Sequence, residues 1–67
     1  MEDLLYTVPE VAKLLKVDNH KVYELIDKKI LLGLKLGRLK VTREEILKFL
    51  RTYAGKDLSD LDNIKDI

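Results

Sequence analysis

The sequence predicts a mainly α-helical fold with one small β-hairpin: three helices plus a two-stranded wing. Three observations carry it. Thr7 and Thr42 are each followed three residues later by a glutamate, Glu10 and Glu45, and a hydroxyl residue with an acid at that spacing marks a helix start. Two apolar stretches of helical period lie either side of the short run Lys16-Val17-Asp18. Between Leu34 and Val41 the apolar period falls to two around Gly37-Arg38, as a hairpin requires.

The first helix is expected from about Val8 to Leu15. Thr7 and Glu10 can each bond the other's backbone N–H, and Tyr6 and Val11 have the spacing of a hydrophobic staple. Pro9 falls in the first turn, where its missing N–H removes no helical bond. Val8, Val11, Ala12 and Leu15 recur as one buried face. Asp18 is a good N-cap for a second helix, roughly Asn19 to Lys28, with Val22, Leu25 and Ile26 as its apolar stripe. Two short helices across a three-residue turn make a helix-turn-helix layout. The hairpin follows Lys29-Ile30-Leu31-Leu32-Gly33. A glycine at the first position of a two-residue loop suits a type II′ turn, and that register sets Leu36 against Leu39, Lys35 against Lys40, and Leu34 against Val41. One face is then all leucine and valine, and the other presents two facing lysines with Arg38 at the tip. A third helix begins at Thr42 with a second capping box; Ile46, Phe49, Leu50 and Tyr53 form its buried stripe, and Gly55 is its stop. The expected division is a winged helix-turn-helix domain over residues 1–55 and an acidic tail over 56–67. In the tail Leu58, Leu61, Ile64 and Ile67 recur every three residues, which fits a short amphipathic helix, a segment docked on its own core, or a frayed end.

With 67 residues, the chain has room for one domain. A domain of this size buries only about 60% of its unfolded surface, so stability must come from a tight apolar core and well-made helix ends. There is no cysteine and a single histidine, His20. That excludes disulfides, thiolate metal sites and a histidine metal cluster, and no cofactor is expected. No apolar run approaches the ~20 residues of a membrane span. The start, with Glu2 and Asp3, lacks the basic region of a signal peptide, so a soluble cytoplasmic protein is expected, without membrane contact. The net charge of +1 hides an uneven distribution. Residues 1–10 sum to −3, residues 11–43 to +6, residues 44–54 to zero, and residues 55–67 to −2. A basic block between acidic ends suits a polyanionic partner.

Catalytic readings fail. Ser59 has no histidine near it in sequence, a Gly-rich phosphate loop is absent, and Glu44 and Glu45 serve the dipole of the third helix's first turn. The chain is expected to be non-enzymatic. The facing lysines are more informative. Like charges directly across an antiparallel pair destabilise it by roughly 0.2–1 kcal/mol. Phosphate contacts by Lys35, Lys40 and Arg38 would offset that cost; protection of a sheet edge is the other explanation. In a helix-turn-helix the second helix enters the major groove by its N-terminal residues. Here these are Asn19, His20, Lys21 and then Tyr23. Asn pairs with adenine and Lys reaches guanine or phosphate, while Glu24 and Asp27 repel phosphate. Glu24 has Lys28 at i+4 as an expected partner.

The run Tyr6-Thr7-Val8-Pro9-Glu10-Val11-Ala12-Lys13-Leu14-Leu15-Lys16-Val17 resembles the first helix of the excisionase family of DNA-binding domains, within the MerR-like winged helix-turn-helix group. Lys21-Val22-Tyr23-Glu24-Leu25-Ile26 is similar to that family's second-helix signature. Lys35-Leu36-Gly37-Arg38 and Val41-Thr42-Arg43-Glu44-Glu45 resemble its wing and third-helix entry. The likeness covers about residues 4 to 54. It implies a recognition helix in the major groove, on Asn19, His20, Lys21 and Tyr23, and a wing in the adjacent minor groove, on Lys35, Arg38 and Lys40. The family often has Gly after the second helix, where this chain has Lys29. Its wing usually holds an extra residue and an aromatic, where this chain has Leu39. The resemblance implies a sequence-specific binder of double-stranded DNA, either a recombination accessory factor or a small transcriptional regulator, from a bacterium, phage or mobile element. Expected partners beyond DNA are a site-specific recombinase or a second copy of the chain. The rival reading is a protein-interaction adaptor that recruits a partner through its tail.

Overall fold

Thr7 starts the first helix as its spacing requires. Its N–H donates to Glu10 Oε1 at 2.8 Å, and the Glu10 N–H donates to Thr7 Oγ1 at 3.4 Å, a closed capping box. The bond from the Thr7 backbone, then that from its hydroxyl, holds the Glu10 carboxyl below its usual range. The computed structural model describes residues 4–67; Glu2 and Asp3, read as part of the acidic start, lie outside the described residues. Helix α1 spans Val8–Leu15, as the sequence predicts. It closes on Lys16 at φ +59, with the Val17 N–H donating to Ala12 O at 2.9 Å and the Lys16 N–H to Lys13 O at 3.3 Å. That bond pair is a Schellman motif.

Helix α2 spans Asn19–Asp27, and Asp18 caps it by accepting from the Lys21 N–H at 2.8 Å. Its end repeats the device. Lys29 takes φ +59, its N–H donates to Ile26 O at 3.0 Å, and the Ile30 N–H donates to Leu25 O at 3.0 Å. Lys29 therefore holds the left-handed position that glycine fills without steric cost. The Leu31 N–H donates to the same Leu25 carbonyl, at 3.1 Å. The turn drives Leu31 into the core, where it is fully buried.

The sheet has three strands rather than the two foreseen. Strands β1 (Leu5–Thr7), β2 (Leu34–Leu36) and β3 (Arg38–Thr42) are antiparallel in the order β1-β3-β2. Tyr6 pairs with Val41, which is fully buried. The wing register differs from the expected one by a single residue. Leu36 pairs with Arg38, Lys35 with Leu39, and Leu34 with Lys40, so Gly37, at φ +70, stands alone at the apex. Lys35 does not face Lys40. A one-residue slip reverses every side chain of a strand, and here it turns Leu34 and Leu36 outward, 42% and 55% exposed. The chain enters β2 close over two side chains: a Cβ at Gly33 would stand 3.1 Å from atoms of both Ile26 and Leu39.

Helix α3 spans Arg43–Tyr53, with Thr42 accepting from the Glu45 N–H at 3.1 Å. The expected second capping box is only half made: the Glu45 carboxylate accepts from the Leu32 N–H at 3.4 Å instead. Thr42 is also the last residue of β3, paired with Leu5. Ile46 and Phe49 are buried and Tyr53 packs beside them, whereas Leu50, expected in the stripe, is exposed. The core is built from Val8, Val11, Ala12, Val22, Leu25, Leu31, Val41, Ile46 and Phe49.

The tail is neither helical nor frayed. Lys56–Asp57 (β4) pairs with Lys65–Asp66 (β5), and both rungs match opposite charges, Lys56 to Asp66 and Asp57 to Lys65. Gly55, at φ +83, ends the third helix where the sequence places its stop, and its carbonyl accepts from the Ile67 N–H at 2.9 Å. Leu58 and Leu61 pack against the core. No helix among the described residues is long and apolar enough to cross a membrane.

Candidate nucleic-acid interface

The turn Lys16-Val17-Asp18 and the Asp18 cap fix the start of α2 against α1, and Val22 and Leu25 bury its inner stripe. Its outer stripe is thereby presented to solvent. Tyr23 is 52% exposed and stands between two open concavities. One, of about 490 Å³, is lined by Asn19 and Tyr23 of α2, Arg38 and Leu39 of the wing, and Thr7, Val8 and Pro9 at the start of α1. The other, of about 410 Å³, is lined by His20, Tyr23, Glu24, Ile26, Asp27 and Leu39.

The two differ in charge. Arg38 is the only charged residue lining the first, whereas Glu24 and Asp27 border the second. Glu24 does not pair with Lys28; its Oε1 lies 3.6 Å from His20 Nε2, a contact that becomes an ion pair only when His20 is protonated. A phosphate is favoured at the first concavity and opposed at the second.

Of the seven residues singled out from sequence, the fold brings Asn19, Tyr23 and Arg38 together, with His20 alongside. The other three line neither concavity. Lys21 points to the opposite flank of α2, where its Nζ donates to the Leu58 carbonyl at 2.9 Å. Lys40 folds back on the wing and donates to Leu36 O at 3.2 Å. Lys35 pairs with Leu39 across the hairpin. The cost assigned to two facing lysines therefore does not exist in this fold. Sequence reasoning missed Leu39 and the Thr7–Pro9 backbone as walls of the concavity. Thr7 and Pro9 were visible only as helix-start signals, and Leu39 only as a core residue. Among the described residues, no group of three or more His, Cys, Asp or Glu side chains is placed to hold a metal ion.

Residues 5–54 match a protein family described as a helix-turn-helix domain. No curated protein and no solved structure is significantly similar to the chain.

Proposed function

The chain belongs to this helix-turn-helix domain family and is a DNA-binding helix-turn-helix protein, and on that premise we propose that it is a non-catalytic, sequence-specific binder of double-stranded DNA. The observation that carries the proposal is the convergence of Asn19 and Tyr23 from α2 with Arg38 from the wing tip around one concavity that carries no acid. In this reading Asn19 reads a base edge and His20 and Tyr23 flank it in the major groove. Arg38 takes the neighbouring phosphate or minor-groove edge, with Lys35 and Lys40 contributing as separate contacts. The biological role is an excisionase-like accessory to recombination or a small regulator of transcription. The adaptor reading is less well supported, because in the free protein Leu58 and Leu61, the apolar residues a tail-borne partner would need, pack against the chain's own core.

Titration of labelled duplexes at several salt concentrations tests the proposal. The logarithm of affinity falls against the logarithm of salt with a slope of about −3 to −5 if a few phosphates are neutralised. Arg38→Ala lessens that slope by about 0.9 if its contact is to phosphate. Asn19→Ala costs about 1–3 kcal/mol of discrimination at the base it reads. Affinity that does not change with salt, or no binding to any duplex, rejects the reading.

A further inference from the structure

The flank of α2 turned away from the wing carries Lys21 and, at the helix's C-terminal end, Lys28, and each ammonium is engaged by the tail. Lys21 Nζ donates to the Leu58 carbonyl at 2.9 Å, and Lys28 Nζ lies 2.8 Å from the Asp62 carboxylate. The two lysines are seven residues apart, so they stand about 10 Å apart along the helix. We propose that this flank is a second binding strip, for the phosphate backbone of duplex DNA, held shut in the free protein by oxygens of the tail hairpin that occupy the phosphate positions.

Three observations support this, given the DNA-binding reading on which it rests. A major groove that admits a helix is walled by a phosphate strand on each side. Arg38 stands on the Asn19 and Tyr23 flank of α2 and Lys21 and Lys28 on the tail flank, so with α2 in such a groove each set would meet a different wall. In the free protein that second side is acidic: the bond to Asp62, then its charge, raises the Lys28 pKa, with Asp27 and Asp60 adding to it, and Asp57 lies within the field of Lys21. A phosphate strand approaching α2 there is repelled until the tail moves off. Finally, apart from the partly buried Leu58 and Leu61, the tail is attached by weak contacts. Its strands are two residues each, its ion pairs are exposed, and such pairs contribute little. Segments of this kind open without global unfolding. Tail and DNA then compete for the same two ammonium groups, and apparent affinity is reduced by the fraction of protein in the open state.

A double-mutant cycle on Asp62 and Lys28 tests the proposal, read by the anisotropy of a labelled duplex of about 20 base pairs and mixed sequence at two salt concentrations. The Asp62 side chain is exposed, so Asp62→Asn leaves the fold in place. Asp62→Asn is expected to tighten binding about three- to tenfold at low salt, and the gain is expected to vanish in Lys28→Gln, where there is no ammonium to release. The amide of Ile67, bonded to Gly55 O in the closed tail, is expected to exchange at least about tenfold faster when duplex is bound. If the unaltered protein binds duplex but Asp62→Asn leaves affinity within about twofold, or tightens it equally in Lys28→Gln, the competition is overturned while DNA binding stands. Unchanged protection of Ile67 in the complex overturns it as well. If neither protein binds duplex, the DNA reading itself fails, and this inference with it.

Discussion

Two small hairpins flank α2, and they are built on opposite principles. The wing, β2–β3, is rooted in apolar contact: Val41 is buried, Leu39 packs on the core, and Gly33 lies against Ile26 and Leu39. No acid occurs between residues 33 and 43. The tail hairpin, β4–β5, is laced by charge, with Lys56 paired to Asp66 both in register and by side chain, Lys28 to Asp62, and the Asp57 carboxylate accepting from both the N–H and the hydroxyl of Ser59. Only Leu58 and Leu61 anchor it by packing as strongly as partial burial allows. Apolar contact has no charge for salt to screen or for pH to titrate, whereas exposed ion pairs are weakened by salt and by protonation of the carboxylate. The wing is thus fixed to the core, and the tail is a part whose attachment depends on solution conditions; on the proposed DNA-binding reading only the wing is a constant contact surface.

The largest effect that sharpens this contrast comes from truncating the two anchors. Val41→Ala removes fully buried methyl groups at the root of the wing and is expected to cost about 2–3 kcal/mol in urea unfolding. In a domain of this size that is a large share of the total stability. Leu61→Ala, at a partly exposed site, is expected to cost about 1 kcal/mol. Equal losses at the two sites would break the distinction. Glycines in the wing come next. Gly37→Ala forces a side chain into φ +70 and is expected to cost about 1–2 kcal/mol. Gly33→Ala brings a methyl to 3.1 Å from Ile26 and Leu39; both neighbours are flexible side-chain ends, so about 1 kcal/mol is expected. Loss of wing amide protection, with the tail unaffected, is the accompanying signature by hydrogen exchange.

The division between local and distant information also decides what was legible in the sequence. The three helices could be placed because their starts are encoded within four residues: Thr7 with Glu10, Asp18 ahead of Lys21, Thr42 ahead of Glu45. Gly55 marked the end of α3 for the same reason. The errors arose where one segment answers to another far along the chain. Strand β1 is three residues that exist as a strand only because β3 lies beside them. The wing register pairs Leu34 with Lys40 around a lone Gly37, one residue from what the two-residue turn rule gives. Leu31 is buried by a Schellman turn whose left-handed residue is a lysine, not the glycine that signals such a turn. Glu45 left its own helix end for Leu32. For the candidate site the same logic applies. Asn19, Tyr23 and Arg38 were chosen by residue type and converge; Lys21 was chosen in the same way, but the tail claims it.

The smallest energetic effect gives the finest test, because it separates the hairpins by pH alone. The bond and charge of Lys56 hold the Asp66 carboxyl below the ordinary aspartate range, and the bonds from the Ser59 hydroxyl and N–H do the same for Asp57. A carboxyl whose folded pKa is depressed contributes stability that is present above its unfolded pKa and is lost as pH falls through the folded one. Both contributions are therefore complete at neutral pH, begin to fade near pH 4 and vanish below it. Lys28 has the opposite sign: its raised pKa gives stability present below 10.5 and lost as pH rises beyond the folded value. The Glu10 carboxyl, held below the ordinary glutamate range by Thr7, also weakens the start of α1 in acid, but Glu10→Gln keeps an acceptor for Thr7 without a titration. In that variant, lowering the pH from 6 to 3 is expected to speed exchange of the Ile67 amide, once corrected for the intrinsic rate, well before the paired amides of the wing. Adding Asp66→Asn should reduce that acid response to the part carried by Asp57 and leave the wing unchanged. Wing and tail amides losing protection together through this range would mean that the two hairpins open as one unit, and that the tail has no separate equilibrium for DNA to compete with.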